Sequence, residues 1–251
     1  MFSRYVISRV LWIAPQVIAL LLVASMVRSK LVQRYGLFFA YTCLQLVRFA
    51  VLYPIYAGWE HNRFLYFYTY WVFEAVDVVV TIAIIHDVYI AVFSPYPALR
   101  RAGSALFNWA MAILIIVSVV AAAVAQGADR ARLLIGVTAF EQSAALVRGG
   151  LILLLICLGL FFKLQWPHHA FGIAIGLGIN VMLVLAAVTV RRHYGVAAAD
   201  LYSIATAVAF NLGSLVWAKY FLLSERALQG VNPYARADLE RWDMELAELM
   251  R

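Results

Sequence analysis

The chain has 251 residues, of which 65% are hydrophobic and only 13% are charged. A soluble domain carries about 25% charged residues, so this composition excludes a soluble globular protein and indicates an integral membrane protein. The net charge of +7 would also suit a nucleic-acid-binding protein. The arginines and lysines stand at the ends of apolar stretches, however, where membrane topology explains them, and we expect no nucleic-acid partner.

Seven apolar stretches are long enough to cross a hydrocarbon core, which takes about 20 helical residues. We predict an all-α fold, a polytopic membrane protein in which seven transmembrane helices form one bundle over residues 1–224. The predicted spans lie near residues 10–27, 36–57, 64–93, 104–125, 132–162, 169–190 and 201–223. Because the loops between them are short, successive helices should run antiparallel.

The first span follows Arg4 and Arg9, a pattern that also introduces secretory signals. Its apolar run of about 18 residues is longer than the apolar core of a signal, which favours a retained first helix. If the N-terminus is outside, nine lysines and arginines flank the inner face and seven flank the outer face. The positive-inside rule then favours an outer N-terminus and an inner C-terminus. We predict that the protein is integral to a bacterial cytoplasmic membrane and contacts membrane lipids.

Ionisable residues occur inside the predicted spans at similar depths. Glu74 and Arg48 each lie about 10 residues from the loop that joins the second and third spans, and so about 15 Å deep at about 1.5 Å per residue. This depth is the midplane of a hydrocarbon core about 30 Å thick. Because an ionisable group there costs about 2.5 to 3.5 kcal/mol, we predict that Arg48 and Glu74 form an ion pair.

The fifth, sixth and seventh spans also carry polar residues about 15 to 18 Å from that face, and neighbours on one span share a helix face. The predicted ligand or ion network consists of Arg48, Glu74, Asp77, Glu141, Arg148, Asn180 and Asn211. Its three acids face two arginines, which leaves one carboxylate to be protonated at neutral pH or to hold a cation. The alternative is that the layer only fixes the register of the helices.

Two further patterns concern packing. Aromatic residues crowd residues 53–71, where they form an interface belt or line a pocket. Gly172 and Gly176 have the spacing that lets a second helix approach closely, which favours a packing role over a ligand contact.

Histidines lie near two span ends. His86 and Asp87 come near the end of the third span, and His168 and His169 open the sixth. Imidazole and carboxylate suit zinc, but no HExxH or similar same-face pair accompanies them, so we interpret them as interface residues. A retinal lysine would follow an acid by four residues, and Lys219 does not. We predict no metal and no cofactor, and we assign no enzyme activity.

Residues 225–251 form a separate tail. Leu239, Trp242 and Leu246 recur at helical spacing opposite acidic residues, which predicts one amphipathic helix. A membrane-surface helix usually carries lysines and arginines on its polar face, whereas this one is rich in acids. We therefore expect a cytoplasmic tail that docks on the bundle or on a partner protein.

The seven-span layout, with the segment FSPYPALRRAG after the third span, resembles the seven-helix input module of bacterial membrane sensor kinases and stand-alone bacterial membrane proteins of similar size. The resemblance covers the spans and transfers no functional residue. It implies a sensor. Since no catalytic domain follows the last span in this sequence, we expect signalling to require a separate partner.

These observations favour a sensor or receptor-like module that binds a small ligand or ion at the polar layer. A small proton-coupled transporter or carrier and a structural subunit of a membrane complex are the alternatives. A sensor predicts a pocket open to one face, a transporter predicts water access from both faces, and a structural subunit predicts a dry, fully paired layer.

Overall fold

The computed structural model of the chain describes residues 2–96, 129–161, 166–194 and 199–223, and ten positions between 100 and 120. Within these ranges, the side chains of residues 2–10, 59–63, 129–142, 161, 191–194 and 199–200 stay outside the description. The described part is helical and contains no strand. Its elements are α1 (Phe2–Arg28), a 3-10 turn (Leu31–Gln33), α2 (Gly36–Ala57), α3 (Trp59–Val92), α4 (Asp129–Phe161), α5 (His168–Tyr194) and α6 (Ala199–Leu222).

All six of these helices are long and apolar enough to cross a membrane. The predicted all-α, membrane-spanning architecture is therefore confirmed for six of the seven predicted spans. In the remaining span, residues 104–125, eight positions are described and all eight are helical. The tail, residues 225–251, lies outside the described residues.

Hydrogen bonds show that α1 and α6 run in the same direction. In the first half of α1, the carbonyl of Leu11 accepts a hydrogen bond from the side chain of Asn211 in the middle of α6. Near the end of α1, the hydroxyl of Ser25 donates to the carbonyl of Phe221 near the end of α6. We call the end of the bundle where α1 begins the N-terminal end, and the end where α1 stops the opposite end.

The other helices alternate around this pair. Residues 45 and 48 of α2 meet residues 77 and 74 of α3, so these two helices are antiparallel. α5 is antiparallel to α4, because Gly149 faces Val181 and Gly178 faces Ile152. It is also antiparallel to α6. The ring of Trp12 in the first half of α1 lies 5.5 Å from that of Tyr56 at the end of α2, so α2 is antiparallel to α1. Since α3 and α4 therefore both run in the direction of α1, residues 93–128 connect opposite ends of the bundle.

Glycines let α5 and α6 pack closely. A side chain at Gly172 would overlap Tyr220, and one at Gly176 would overlap the indole of Trp217. A Cβ at Gly213 would lie 2.9 Å from the carbonyl oxygen of Gly176. The packing role predicted for Gly172 and Gly176 is thus confirmed, and the two glycines hold large rings from α6 against α5.

Four aromatic side chains fill the bundle between the midplane and the opposite end, and we call them the aromatic plug: Tyr35, Phe38, Trp217 and Phe221. The ring centroid of Phe38 lies 5.3 Å from that of Trp217 and 5.2 Å from that of Phe221. All four side chains are buried. Such aromatic contacts are stabilising beyond the area they bury, so this half of the bundle has a densely packed core.

Candidate ligand-binding cavity

A cavity of about 400 Å³ occupies the other half of the bundle, and residues of all six helices line it. The lining residues come from the early parts of α1, α3 and α6 and from the later parts of α2 and α5. These are the segments nearest the N-terminal end. The volume lies within the range of about 300 to 1,000 Å³ that is usual for small-molecule sites.

The cavity is deepest at the middle of the bundle. Its base includes Tyr41 and Asp77, which are 4% and 8% exposed, whereas Tyr53 near the N-terminal end is 49% exposed. The ring of Tyr41 lies 5.8 Å from that of Trp217 in the aromatic plug. The cavity therefore widens toward the N-terminal end and rests on the plug.

The predicted pair between Arg48 and Glu74 is confirmed. Arg48 Nη2 donates to Glu74 Oε2 at 3.1 Å, between α2 and α3. The guanidinium carbon of Arg48 lies 5.1 Å from the centroid of the Tyr70 ring, a distance at which cation–π attraction operates. Both charged side chains line the cavity. Glu74 Oε1 and the Arg48 nitrogens Nε and Nη1 form no hydrogen bond within the described part of the chain.

A second ion pair lies one helical turn deeper. Asp77 accepts a hydrogen bond from Arg148 Nη1 at 3.1 Å and another from Gln45 Nε2 at 2.6 Å, one on each carboxylate oxygen. Arg148 Nε also donates to the backbone carbonyl of Ala144 at 3.3 Å. Asp77 and Arg148 are both buried. Three helices are thus joined through one carboxylate whose two oxygens are both satisfied.

Three residues of the predicted network remain: Asn180, Glu141 and Asn211. Asn180 lines the cavity from α5. Glu141 lies on α4 two turns before Arg148, but its side chain is outside the described residues.

Asn211, which the sequence places in the predicted network, is not among the cavity-lining residues. Its Nδ2 donates to the backbone carbonyls of Leu11, at 2.9 Å, and Ala207, at 2.8 Å. This placement has a physical reason. Depth along the span placed Asn211 in the layer, but its direction around the helix axis points it at α1.

Several cavity residues were not predicted as site residues. Gln45 shares a helix face with Arg48, which was visible in the sequence, whereas Gln16 on α1 carries no charge to draw notice. Gln16 Oε1 is buried and has no hydrogen-bond partner among the described residues. Aromatic side chains complete the lining at Trp12, Tyr41, Phe49, Tyr53, Tyr66, Tyr70, Tyr202 and Phe210. The aromatic crowding of residues 53–71 thus includes rings that line the pocket.

The three histidines whose side chains are described, His86, His168 and His169, do not line the cavity. His86 Nε2 lies 3.2 Å from the hydroxyl of Ser104. The rings of His168 and His169 pack 4.8 Å and 4.9 Å from the rings of Tyr220 and Phe221. No three His, Cys, Asp or Glu side chains of the described part come together as a metal site.

Comparison of the chain with protein-family models, with curated proteins and with solved structures found no match. The chemistry of the cavity therefore carries the functional argument. The cavity has two acids and two arginines in its lining, with apolar and aromatic side chains between this layer and the N-terminal end. A deep pocket in which a few polar groups converge is a usual form of a small-molecule site.

Proposed function

We propose that the chain is a membrane sensor or receptor-like module that binds a small ligand at the polar layer. The observation that carries this proposal is the position of the cavity, whose charged base lies at mid-bundle and whose described lining residues extend from there toward the N-terminal end. A sensor would take up its ligand through an opening at that end. The aromatic plug supports the same view, because it fills the path from the base toward the opposite end.

The proposal includes a seven-span bundle in a bacterial cytoplasmic membrane, with the N-terminal end outside. Two observations support a further span within residues 93–128. This segment connects opposite ends of the bundle, and every described position in residues 104–125 is helical. In this arrangement the cavity would receive its ligand from outside, and residues 225–251 would transmit the response to a separate partner inside, as the resemblance to sensor-kinase input modules implies.

Intramembrane ionisable residues usually mark functional sites, and the pair of Arg48 with Glu74 fits that rule better than a purely structural role. A structural layer would be expected to satisfy its polar atoms, as the buried Asp77 does. Glu74 instead uses one carboxylate oxygen and leaves the other without a hydrogen bond among the described residues. The alternative function is a proton-coupled carrier that uses the same carboxylates, and it requires the cavity to open toward both faces.

Sided labelling of single cysteines separates these functions. The natural cysteines, Cys43 and Cys157, are first replaced by serine. Asn180→Cys then reports on the base of the cavity, and the variant is exposed to a membrane-impermeant methanethiosulfonate in sealed vesicles of both orientations. We expect labelling from the N-terminal side alone. Labelling from both sides would favour the carrier, and labelling from neither side would favour a structural subunit.

Two control variants define the sides of the vesicle. Ser203→Cys lies at the exposed N-terminal end of the cavity, and Ser94→Cys is exposed just after α3 at the opposite end. Each should react from one side only, and from different sides. Their labelling shows that the reagent reached each face, so an unreactive Asn180→Cys variant would be informative.

A further inference from the structure

The chemistry of the lining indicates the class of ligand, on the assumption that the proposed binding function holds. We propose that the cavity binds a zwitterionic small molecule with a planar ring, whose ammonium group contacts Glu74 and whose carboxylate contacts Arg48. The ring would lie among the aromatic side chains between this pair and the N-terminal end. An aromatic amino acid is the simplest molecule of this kind.

Charge balance favours a zwitterion. Among the described residues, the charged side chains at the base are two acids and two arginines, and their formal charges sum to zero. A ligand with a net charge would bring an uncompensated charge into a low-dielectric site, which is strongly unfavourable. A zwitterion adds no net charge, and each of its charged groups finds an opposite partner.

The geometry of the Arg48–Glu74 pair also fits a zwitterion. The two side chains meet through one nitrogen and one oxygen, 3.1 Å apart. Glu74 Oε1 remains an acceptor, and Arg48 Nε and Nη1 remain donors, within the described residues. An ammonium group and a carboxylate borne on one carbon atom would fit this edge, since each would meet the opposite charge of the pair. Charge-assisted hydrogen bonds of this kind are about twice as strong as neutral ones.

The deeper ion pair is not the binding edge. Both oxygens of Asp77 already accept hydrogen bonds, from Gln45 and Arg148, and Arg148 is also bonded to a backbone carbonyl. A ligand would have to break these contacts to bind there. The deeper pair therefore serves as the floor that holds α2, α3 and α4 in place around the upper pair.

Rings surround the space above the upper pair. The centroids of Phe49 and Tyr53 lie 5.4 Å apart, and those of Tyr66 and Tyr70 lie 6.2 Å apart. Trp12 lines the same space from α1. Aromatic pairs in offset or edge-to-face arrangements are stabilising beyond the area buried, so these walls favour a planar ring over an aliphatic chain.

Three probes with the same indole ring test the proposal: L-tryptophan, which is zwitterionic, tryptamine, which carries only an ammonium group, and indole-3-propionate, which carries only a carboxylate. Binding to the full chain in lipid nanodiscs is measured by isothermal titration calorimetry and by the shift in thermal unfolding. We expect L-tryptophan to bind at least about tenfold more tightly than either of the other probes. Equal binding of all three probes, or no binding of any, would overturn the assignment.

Glu74→Gln is the decisive variant. It removes the partner of the ammonium group and keeps the size of the side chain, so the affinity for L-tryptophan should fall by about tenfold or more, to that of indole-3-propionate. Asp87→Asn is the matched control. It neutralises another acid of α3, one that does not line the cavity, and should leave all three affinities unchanged.

Failure of the ligand class can be told apart from failure of the proposed function. If tryptamine binds best and depends on Glu74, the cavity is a binding site but its ligand is a cation, and the zwitterion assignment is wrong. If Glu74→Gln and Asp87→Asn change the affinity for L-tryptophan equally, the probe binds outside the cavity and the assignment is also wrong. The proposed sensor function is tested separately by the sided labelling, and it fails if the base of the cavity is labelled from both sides or from neither.

Discussion

The side-chain amide of Asn211 donates a hydrogen bond of 2.9 Å to the backbone carbonyl of Leu11. Pro15, four residues after Leu11, has no amide hydrogen and leaves that carbonyl without its usual helical donor. Within a membrane such a freed carbonyl needs another partner. We expect Asn211→Ala to lower the free energy of unfolding by about 0.6 to 1.7 kcal/mol, the range found for such bonds in membrane proteins. Denaturant unfolding in mixed micelles measures this difference in the free energy of unfolding.

A double-mutant cycle tests the cause. Pro15→Ala supplies an amide hydrogen at residue 15, so Leu11 regains a backbone donor and Asn211→Ala should cost less in that background. Asn180→Ala is the matched control, because Asn180 lies on another helix and should show no coupling to residue 15. An equal cost of Asn211→Ala in both backgrounds would mean that Asn211 does not compensate for the proline.

Breaking the deeper ion pair should be far more costly. Arg148→Ala leaves the carboxylate of Asp77 buried and without its charged partner, and loss of one member of a buried pair typically costs about 3 to 5 kcal/mol. We expect a loss in that range, measured by unfolding in micelles. The exposed Arg101→Ala serves as the control and should change stability by less than about 0.5 kcal/mol.

Removal of both charges distinguishes pairing from packing. Because apolar replacement of a whole buried pair is often neutral, the double variant Asp77→Leu, Arg148→Met should recover most of the stability that Arg148→Ala loses. If the double variant is as unstable as Arg148→Ala, packing of the arginine stem contributes most of the stability, and loss of the ion pair does not explain the effect of Arg148→Ala.

Replacement of glycine by alanine should have opposite effects on stability at two positions with different surroundings. Gly176→Ala places a methyl group on the indole of Trp217, and overpacking of this kind costs about 1 to 3 kcal/mol. The methyl group added by Gly150→Ala on α4 would have no described heavy atom within 4 Å. Because alanine has a higher helix propensity than glycine, this variant should be more stable by about 0.5 to 1 kcal/mol. Thermal unfolding of both variants checks the contrast. Destabilisation by both would remove the role assigned to the α5–α6 contact.

The level of a polar residue along the bundle was predictable from the sequence, because a helix advances by a fixed rise per residue and unpaired ions are costly inside a membrane. The contact between Arg48 and Glu74 followed from these two facts alone. The direction of a side chain around the helix axis did not follow from them. Asn211 shares the depth of the layer but faces α1, where Pro15 leaves a carbonyl to be satisfied.

The cavity itself was not predictable, because its walls are apolar and aromatic residues that composition cannot distinguish from lipid-facing ones. Tyr53 and Tyr70 line it, whereas Tyr68, from the same aromatic segment, is exposed and does not. Only the packing of the helices separates these positions. Gln16 was not predicted either, because a single neutral amide in an apolar span has no charge that requires a partner.

Gln16 and Gln45 provide a comparison within one cavity. Gln16 Oε1 is buried without a hydrogen-bond partner among the described residues, whereas Gln45 donates to Asp77 at 2.6 Å. An unsatisfied buried polar group costs about 1 to 3 kcal/mol. We therefore expect Gln16→Leu to raise the free energy of unfolding of the ligand-free protein by about 1 kcal/mol, and Gln45→Leu to lower it by a similar amount or more. Chemical unfolding in nanodiscs without added ligand measures both.

The opposite signs carry the argument, because both variants make the same chemical replacement at the cavity wall. A polar group that is retained at a cost to stability is characteristic of a functional site. A stabilising Gln16→Leu would therefore identify Gln16 as a residue kept for ligand binding. If Gln16→Leu destabilises the protein as much as Gln45→Leu does, its amide is satisfied in the membrane, and Gln16 belongs to the structural framework of α1.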